Sequence, residues 1–397
     1  MTIERGDAIA LARALVRIDS RNPSLVPGAP GEDSVARLLA EALREWGFAV
    51  EIIEVARGRP DVVARIGPRD GPSLMFNGHL DVVGTEGMLH APFDADVRDG
   101  RMYGRGATDM KSGVAAMCAA AARAADQGLD GPIIVAAVCD EEFESIGTSA
   151  LLTRGVRADA AIVTEPTRLA IAPAHRGFAW VEVTVNGRAA HGSRYDVGVD
   201  AILHAGLLLA ELHALDGGEL TRRTHPLLGH ASLHAATISG GAGWSIYPDR
   251  CVVRIERRTL PGEHASAATR EVEAACERVA ARVPAFSATV TPIFSQNPVD
   301  VDIDAPVVRA LGAAISRELD GPPRVEGLSA WTDAALLNDA GIPAICFGPG
   351  DIALAHAAEE YVVLEEIETA TRVLARMAAG WARGGSMPRA GHPVTKQ

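Results

Sequence analysis

The chain has 397 residues and a formal net charge of −13, from 38 basic and 51 acidic side chains. Its hydrophobic share of 48% and charged share of 22% are those of a globular protein with room for two or three domains. Because only 4% of the residues are aromatic and the net charge is negative, the composition argues against a nucleic-acid-binding protein.

The two ends of the chain alternate between helical patterns and short apolar runs. Apolar residues at steps of three and four predict helices at 1–18, 34–46, 112–125, 332–340 and 364–381. Apolar runs predict buried strands at 73–76, 133–138, 160–163 and 344–347. This alternation is typical of an α/β fold in which helices cover a mostly parallel sheet.

The middle of the chain has a different pattern. Apolar and polar residues alternate at 178–186 and 250–260, as in half-exposed antiparallel strands, and helical patterns occupy 200–215 and 267–283. A smaller α+β domain inserted into the larger one explains this change. We therefore expect a larger domain from 1–177 and 289–383, an inserted domain at 178–288, and a disordered tail at 384–397.

Cysteine usage and hydropathy bear on the location of the protein. The five cysteines are scattered and never spaced as C-x-x-C, which argues against a disulfide framework and against a thiolate zinc site. The charged, helical start does not resemble a secretory signal, and the weakly polar stretch Gly113 to Ala122 is about half of the ~20 residues that a membrane span needs. We expect a cytoplasmic protein without a membrane segment.

Metal-ligating side chains follow several of the predicted strands. They are His79 and Asp81, Asp109, Glu141 and Glu142, Glu165, and, far downstream, His356. Open α/β sheets build their ligand sites at the carboxyl ends of strands, and mixed nitrogen and oxygen donors suit zinc, cobalt or manganese. Since these are too many ligands for one catalytic ion, a pair of ions bridged by one carboxylate is the better hypothesis, and it would leave room for a water nucleophile.

These residues lie in segments that resemble the M20 family of metal-dependent amidohydrolases and peptidases. The segments are NGHLDVV (77–83), GRGATDMKSG (104–113), CDEEFESIG (139–147), VTEPT (163–167), HRG (175–177), AAHGS (189–193), RRTLPGE (257–263), TDAALL (332–337) and FGPGDIALAHAAEEYV (347–362). The family includes acetylornithine deacetylase, succinyl-diaminopimelate desuccinylase, aminoacylase and glutamate carboxypeptidase. So many segments in the family's order make chance agreement improbable.

The resemblance implies a ligand set for two divalent ions. It assigns His79 and Glu165 to one ion, Glu142 and His356 to the other, and Asp109 to both. Zinc is the expected metal, with cobalt or manganese as alternatives.

The resemblance also implies catalytic roles. Glu141 would be the general base that takes a proton from the attacking water and returns it to the leaving amine. Asp81 would orient His79 through its second ring nitrogen. His191 would reach the active site of a partner subunit and stabilise the oxyanion, which makes the insertion a lid and dimerisation domain and the protein a homodimer.

Substrate-binding residues are expected near the same site. Arg176 and Arg258 are candidates for a substrate carboxylate, and Gly348 and Gly350 would let backbone amides approach the same ligand. Ser245 stands where the family commonly has an asparagine that contacts substrate, so the substrate of a named relative does not transfer directly.

Simpler interpretations exist for several of these residues. Without the other residues, Glu141 and Glu142 would be interpreted as an acidic turn, and Asp109 could be simply the N-cap of the helix that follows. His191 could be an exposed loop residue, and Arg258 could pair with a glutamate of its own strand. The stretch 348–353 satisfies a loose G-x-G-x-x-A dinucleotide pattern, but no βαβ unit follows it.

The sequence thus predicts a dinuclear metal hydrolase that cleaves the amide of an N-acyl amino acid or dipeptide, with acetylornithine deacetylase as the leading activity. Desuccinylation, general aminoacylase action, and dipeptide or carboxypeptidase hydrolysis remain open. A non-enzymatic alternative is a metal-binding protein without turnover. A base beside bridging ligands has no purpose in metal storage, which favours the enzyme.

Overall fold

A computed structural model describes residues 3–319 and 321–381. The chain forms two compact units. Of the described residues, the first unit contains those up to Pro173, those of Val301–Glu326 and those from Thr332 onward, and the second contains Ala174–Asp300 and Gly327–Trp331. The tail expected at 384–397 lies outside the described residues.

The helices and strands have the following bounds. The strands are β1 (Ala49–Ala56), β2 (Arg59–Ile66), β3 (Leu74–His79), β4 (Asp96–Arg98), β5 (Arg101–Tyr103), β6 (Ile133–Val138), β7 (Ala160–Val163), β8 (Ile171–His175), β9 (Gly177–Asn186), β10 (Thr224–His225), β11 (Gly229–His230), β12 (Ser232–Gly240), β13 (Arg250–Thr259), β14 (Ser287–Gln296), β15 (Val299–Asp300), β16 (Val325–Leu328), β17 (Ala344–Cys346) and β18 (Tyr361–Val363). The α-helices are α1 (Ala8–Val16), α2 (Asp33–Glu45), α3 (Ser112–Asp126), α4 (Ile146–Thr153), α5 (Ala201–Gly218), α6 (Ala265–Ala280), α7 (Pro306–Glu318), α8 (Ala334–Asp339) and α9 (Leu364–Gly380).

The first unit is built on a sheet with a parallel centre. Its strands run in the order β1-β2-β6-β3-β7-β17-β8, and the four central strands β6, β3, β7 and β17 are parallel to one another. Antiparallel strands flank this centre on both sides. Strands β3, β6, β7 and β17 are buried along their whole length, as strands covered by helices on both faces should be. The α/β architecture with a mostly parallel sheet is confirmed.

Helix α3 is the central helix of this unit. It is rich in alanine and buried on nearly every side, and it packs against β3, β6 and the helices α1 and α9. Small side chains on all faces allow such close packing, and a helix that is apolar all round belongs in the interior. Because α3 begins three residues after Asp109, its packing fixes the end of the turn that carries this residue.

The second unit is an antiparallel sheet with two helices on it. Its strands run in the order β12-β13-β9-β14, and α5 and α6 pack against them. In β9 the side chains of Val181, Val183 and Val185 are buried, while Glu182 and Thr184 between them are partly exposed. This alternation is the one expected from the sequence. The unit extends to Asp300, beyond the expected end at 288, because β14 pairs with β9 over its full length.

Some elements differ from the expectations. The first helix begins at Ala8, not at the chain start, because the side chain of Asp7 accepts a hydrogen bond from Ala10 N at 2.9 Å and caps it. The β1–β2 hairpin and strand β12 carry weaker patterns and were not predicted. Across the described ranges, every helix is too short or too polar to span a bilayer. All five cysteines are buried and free.

Candidate active site

The parallel strands bring the predicted ligands to one edge of the sheet. His79 is the last residue of β3, Glu141 and Glu142 follow β6, and Glu165 follows β7. Since β6, β3 and β7 are adjacent and parallel, their carboxyl ends lie at the same edge. Asp109 joins them from the irregular turn that leads into α3.

One group of ligands contains His79, Asp109 and Glu165. One ligand atom from each lies within 4.8 Å of the others, and all three residues are buried. His79 Nε2 lies 3.2 Å from Asp109 Oδ1. Glu165 Oε1 is buried and has no hydrogen-bond partner among the described residues.

A second group contains Asp109, Glu142 and His356. His356 Nε2 lies 3.3 Å from Asp109 Oδ2 and 3.1 Å from Glu142 Oε2. Its backbone adopts a left-handed conformation with φ 59°, which aims the imidazole at these carboxylates after the short turn Ile352–Leu354. Asp109 therefore presents one oxygen to each group, as a bridging carboxylate would.

The electrostatics of the cluster favour bound cations. Burial, together with the negative charge of Asp109, raises the pKa of Glu165 well above its usual value and raises that of Glu142. Hydrogen bonds with Asp109 and Glu142 raise the pKa of His356 to about 10. Although burial opposes it, hydrogen bonds from His356 and His79 lower the pKa of Asp109. Divalent ions would neutralise these buried negative charges, and the Glu165 oxygen that has no partner among the described residues fits a metal ligand.

Glu141 lies beside the two groups without belonging to either. Its side chain is only 10% exposed, and Oε2 lies 3.9 Å from His79 Nε2. Burial, and then the negative charges of Glu165 and Asp333, raise the pKa of Glu141 well above the usual range. A carboxylate with a raised pKa is suited to accept a proton and release it again.

Asp81 contacts His79 through a different atom from the one expected. Nδ1 of His79 lies 3.0 Å from the main-chain oxygen of Asp81, whereas the carboxylate oxygen is 3.7 Å away. The carboxylate instead accepts hydrogen bonds from the backbone N–H groups of Glu141 and Glu142, both at 3.2 Å. Asp81 therefore orients the imidazole with its backbone and the Glu141–Glu142 turn with its side chain.

The backbone amides of Gly348 and Gly350 are not available to a ligand, contrary to expectation. The N–H of Gly348 donates to Thr167 Oγ1 at 3.1 Å, and that of Gly350 donates to Glu366 Oε2 at 2.7 Å. A Cβ at position 348 would lie 2.5 Å from the carbonyl oxygen of Thr164. Gly348 is thus required for close approach of two main-chain segments.

His191 and Ser245 occupy neighbouring loops of the second unit. Gly192 N donates to the carbonyl oxygen of Ser245 at 2.8 Å, and His191 forms an isolated bridge with Ile246. The exposed imidazole accepts a hydrogen bond from Ser193 N at Nδ1, which places the ring proton on Nε2. The side chain can therefore donate a hydrogen bond from Nε2.

The two candidate arginines of the second unit differ in how well they are paired. Arg258 forms an ion pair with Glu256 and lies over the ring of Phe178 at 5.5 Å, so the simpler interpretation applies to it in this structure. Arg176 donates to Leu228 O at 2.6 Å, but its buried Nε has no partner among the described residues. Burial and the positive charge of Arg258 lower the pKa of Arg176.

Other buried polar residues at the site were missed from the sequence. Glu360 accepts hydrogen bonds from the backbone N–H groups of Thr108 and Asp109, at 3.0 and 3.2 Å, and pairs with Arg105 at 2.6 Å. Asn22 donates to the carboxylate of Asp81 at 2.8 Å. Neither Asn22 nor Glu360 follows a predicted parallel strand, and each lies in a segment whose pattern is typical of a polar loop. No local pattern in the sequence therefore predicted their contacts at the site.

A comparison with family models matches residues 75–380 to Peptidase family M20/M25/M40. The chain belongs to this family. Among curated relatives, it is 32% identical to an acetylornithine deacetylase of Myxococcus xanthus, over 79% of this chain and 81% of the relative. It is 28% identical to the N-formyl-4-amino-5-aminomethyl-2-methylpyrimidine deformylase of Bacillus subtilis, over 94% of each chain.

Solved structures of M20 proteins have the same fold. A metallo-carboxypeptidase of the family from Sulfolobus solfataricus aligns with a TM-score of 0.80 and 17% identity, covering 94% of this chain and 98% of that one. The YXEP protein of Bacillus subtilis, a dinuclear metal binding peptidase, aligns with a TM-score of 0.72 and 18% identity, covering 95% and 98%. This M20 protein is accordingly a metal-dependent hydrolase that acts on amides.

Proposed function

We propose that this M20 enzyme hydrolyses the amide bond of an N-acyl amino acid with two divalent metal ions, and that acetylornithine deacetylase is its first candidate activity. The observation that carries the proposal is the placement of Asp109, whose two oxygens face His79 at 3.2 Å and His356 at 3.3 Å. The 32% identity to an acetylornithine deacetylase supports the candidate substrate.

The ligand sets follow from the two groups. His79 and Glu165 would hold one ion, Glu142 and His356 the other, and Asp109 both. When bound, such ions polarise the scissile carbonyl and lower the pKa of water. Zinc is the proposed metal, and cobalt or manganese would suit the same nitrogen and oxygen donors.

Glu141 would move the proton. Its carboxylate takes a proton from water as the water oxygen bonds to the carbonyl carbon of the amide. It then gives the proton to the amide nitrogen as the carbon–nitrogen bond breaks, which releases a carboxylic acid and an amine. The position of Glu141 supports both transfers, because its side chain is only 10% exposed and Oε2 lies 3.9 Å from Nε2 of the proposed ligand His79.

The second unit would complete the site as a lid. Nε2 of His191 carries a proton on an exposed loop, and it would donate to the oxygen that gains negative charge during attack. Arg176, whose buried Nε has no partner among the described residues, would bind a substrate carboxylate, since guanidinium groups recognise carboxylates by paired hydrogen bonds.

A homodimer is the proposed assembly. Within the described part of the chain, β12 is an edge strand, and its Ile238 is 51% exposed. The neighbouring helix α5 exposes Leu203 by 69%. The opposite edge strand, β14, contains Pro292 and a bulge, which protect an edge from pairing. An exposed edge beside an apolar helix face supports association through β12 and α5.

The five free, buried cysteines support a reducing compartment such as the cytoplasm.

The function is tested with a panel of N-acetyl, N-succinyl and N-formyl amino acids and dipeptides, including N-acetylornithine. Amine release is measured before and after chelation and after zinc, cobalt or manganese is restored. Hydrolysis that stops with chelator and returns with metal is the expected result, fastest with N-acetylornithine. Preference for an N-succinyl, N-formyl or dipeptide substrate would replace the candidate activity. Metal binding without turnover of any compound would contradict the proposed function.

A further inference from the structure

A network of buried polar side chains connects Glu32 to the turn that carries Glu141 and Glu142. None of its members follows from the ligand assignments, and all lie in the first unit. In order, the side chains are Glu32, Arg59, Asp140, Asn22 and Asp81. Each is at most 6% exposed. Burying five polar side chains is costly unless each is paired, so their arrangement calls for an explanation.

The outer half of the network is a bidentate ion pair between Arg59 and Glu32. Arg59 Nε lies 2.5 Å from Glu32 Oε2, and Arg59 Nη2 lies 2.6 Å from Glu32 Oε1. The same Nη2 also donates to Asp140 Oδ1 at 2.9 Å. The fork geometry holds the guanidinium in one orientation and aims it at Asp140.

The inner half of the network depends on the side-chain amide of Asn22. Its Nδ2 donates to Asp81 Oδ2 at 2.8 Å and to Asp140 Oδ1 at 3.0 Å. Its Oδ1 accepts a hydrogen bond from Ser24 N at 2.9 Å, so the orientation of the amide is fixed. Asn22 thus supplies both of its protons to two carboxylates that would otherwise repel each other.

The network ends on the backbone of the turn that carries Glu141 and Glu142. Asp81 accepts the N–H groups of Glu141 and Glu142 through its two carboxylate oxygens. Asp140, the residue before them, has a left-handed backbone with φ 66°, which is unfavourable for a residue other than glycine. Such a conformation persists where the surroundings over-determine it, and Asp140 is held by Arg59, by Asn22 and by its own N–H, which donates to Glu32.

We propose that Asn22 is a positioning residue for this reaction: it fixes Asp81 and Asp140 so that the Glu141–Glu142 backbone holds the base and a metal ligand in place, with Arg59 and Glu32 holding Asp140 from behind. The inference rests on the proposed function for its catalytic meaning. The order of the turn can, however, be measured without ions or substrate. Outer partners of metal ligands typically contribute 10- to 100-fold in metal affinity or activity.

The test replaces Asn22 with aspartate and compares it with a matched variant. Asn22→Asp keeps the shape of the side chain but removes both donated protons and adds a third carboxylate. Asn338→Asp is the control, because Asn338 Nδ2 also donates two hydrogen bonds, to Ala334 O and Ala344 O, away from the turn. Arg59→Lys is a second variant that keeps the charge and loses the fork, in case Asn22→Asp does not fold.

The first readout is amide hydrogen exchange of the segment 139–145 in protein stripped of metal. We expect exchange to accelerate by about tenfold or more in Asn22→Asp or Arg59→Lys, since loss of one anchoring hydrogen bond is worth about that factor, and to remain at the wild-type rate in Asn338→Asp. Unchanged exchange of 139–145 in folded Asn22→Asp or Arg59→Lys would overturn the inference. Because neither metal nor substrate is used, this result is independent of whether the protein turns over any amide.

The second readout separates positioning from stability. With a substrate found in the panel, kcat should fall by roughly 10- to 100-fold in Asn22→Asp while KM stays within a few-fold, and zinc affinity should fall in parallel. A merely structural role would lower the melting temperature and leave kcat of the folded enzyme unchanged. An equal loss of kcat in Asn338→Asp would also overturn the inference.

Discussion

At the scale of single residues, the two oxygens of Asp109 face different histidines, at 3.2 Å for His79 and 3.3 Å for His356. The Asp109 backbone N–H donates to Glu360, and α3 begins three residues later, so the side chain has little freedom. A bridging ligand must be held in this way, because a small displacement would change its distance to two ions at once. The proposed base beside it, Glu141, is held by its backbone N–H, which donates to Asp81.

Replacing Glu141 by glutamine should abolish turnover. The amide has nearly the same shape but cannot accept and return a proton, so kcat should fall by roughly 10²- to 10⁴-fold, while two ions still bind per chain. Glu144→Gln, on the same turn but exposed, is the control and should retain activity. Steady-state kinetics with metal analysis checks both variants. Glu141→Gln activity within tenfold of wild type would exclude Glu141 as the base.

At the scale of elements, strand ends deliver most of the ligands, and the loops after β7 and β17 must lie close together to do so. Gly348 follows β17, and the position that a side chain would occupy there lies against the carbonyl oxygens of Thr164 and Glu165. The lack of a side chain at position 348 lets the backbone bearing Glu165 lie against it. The role of this glycine is therefore to allow close packing behind the proposed metal ligand Glu165.

Gly348→Ala should destabilise the first unit and weaken metal binding. The new Cβ would lie 2.5 Å from Thr164 O and 2.7 Å from Glu165 O, so the backbone at Glu165 must shift. Gly312→Ala in the interior of α7 is the matched control: its Cβ would meet Pro323 and Ile171 at ordinary contact distances of 3.6 and 3.7 Å, and alanine should stabilise the helix by about 0.5–1 kcal/mol. Urea unfolding and zinc titration distinguish the two. Equal stability of the two variants would contradict this role for Gly348.

At the scale of the whole molecule, the metal site links ligand binding to stability. The site concentrates buried carboxylates whose pKa values are raised by burial and mutual repulsion, Glu141 and Glu165 above all. Two divalent cations would remove that repulsion and would bind only the folded arrangement. The second unit contributes exposed apolar surface on β12 and α5, which a partner chain would cover.

Removing metal should lower the melting temperature, and restoring zinc should raise it again. Free metal at 100 times its dissociation constant stabilises the folded state by about 2.7 kcal/mol per site. Differential scanning calorimetry before and after chelation measures the change. The double variant Glu142→Ala with Glu165→Ala, which lacks a ligand in each group, should show a much smaller response to zinc. An undiminished response in this variant would place the ions elsewhere.

Light scattering should give a mass of twice 41.5 kDa for the native protein. The double variant Leu203→Lys with Ile238→Lys should shift it toward one chain, since two charges on each side of the contact would have to be desolvated. Ile293→Lys, on the opposite edge strand and 56% exposed, should remain dimeric. A native mass of one chain, or dissociation by Ile293→Lys alone, would contradict the proposed interface.

The sequence by itself determined the α/β class and the buried strands, and it predicted the ligand set. These follow from local properties: apolar runs mark strands covered on both faces, and parallel topology sends the residues that follow them to one edge. His79, Glu141, Glu142 and Glu165 were therefore recognisable from their positions after β3, β6 and β7. Asp109 and His356 were candidate ligands by residue type, but their assignment to particular ions needed the family resemblance, because neither follows a parallel strand directly.

Only the tertiary structure decided how those ligands are held. The carboxylate of Asp81 accepts hydrogen bonds from the backbone of the turn after β6, and Gly348 lets two backbone segments pack closely. Arg258 pairs with Glu256. Asn22 joins two carboxylates that are 59 and 118 positions away along the chain. Such contacts leave no period or spacing in the sequence, because a hydrogen bond between distant loops depends on where the packed strands place them. Local patterns specify the elements and their ends, whereas the supporting polar contacts arise only when those ends meet.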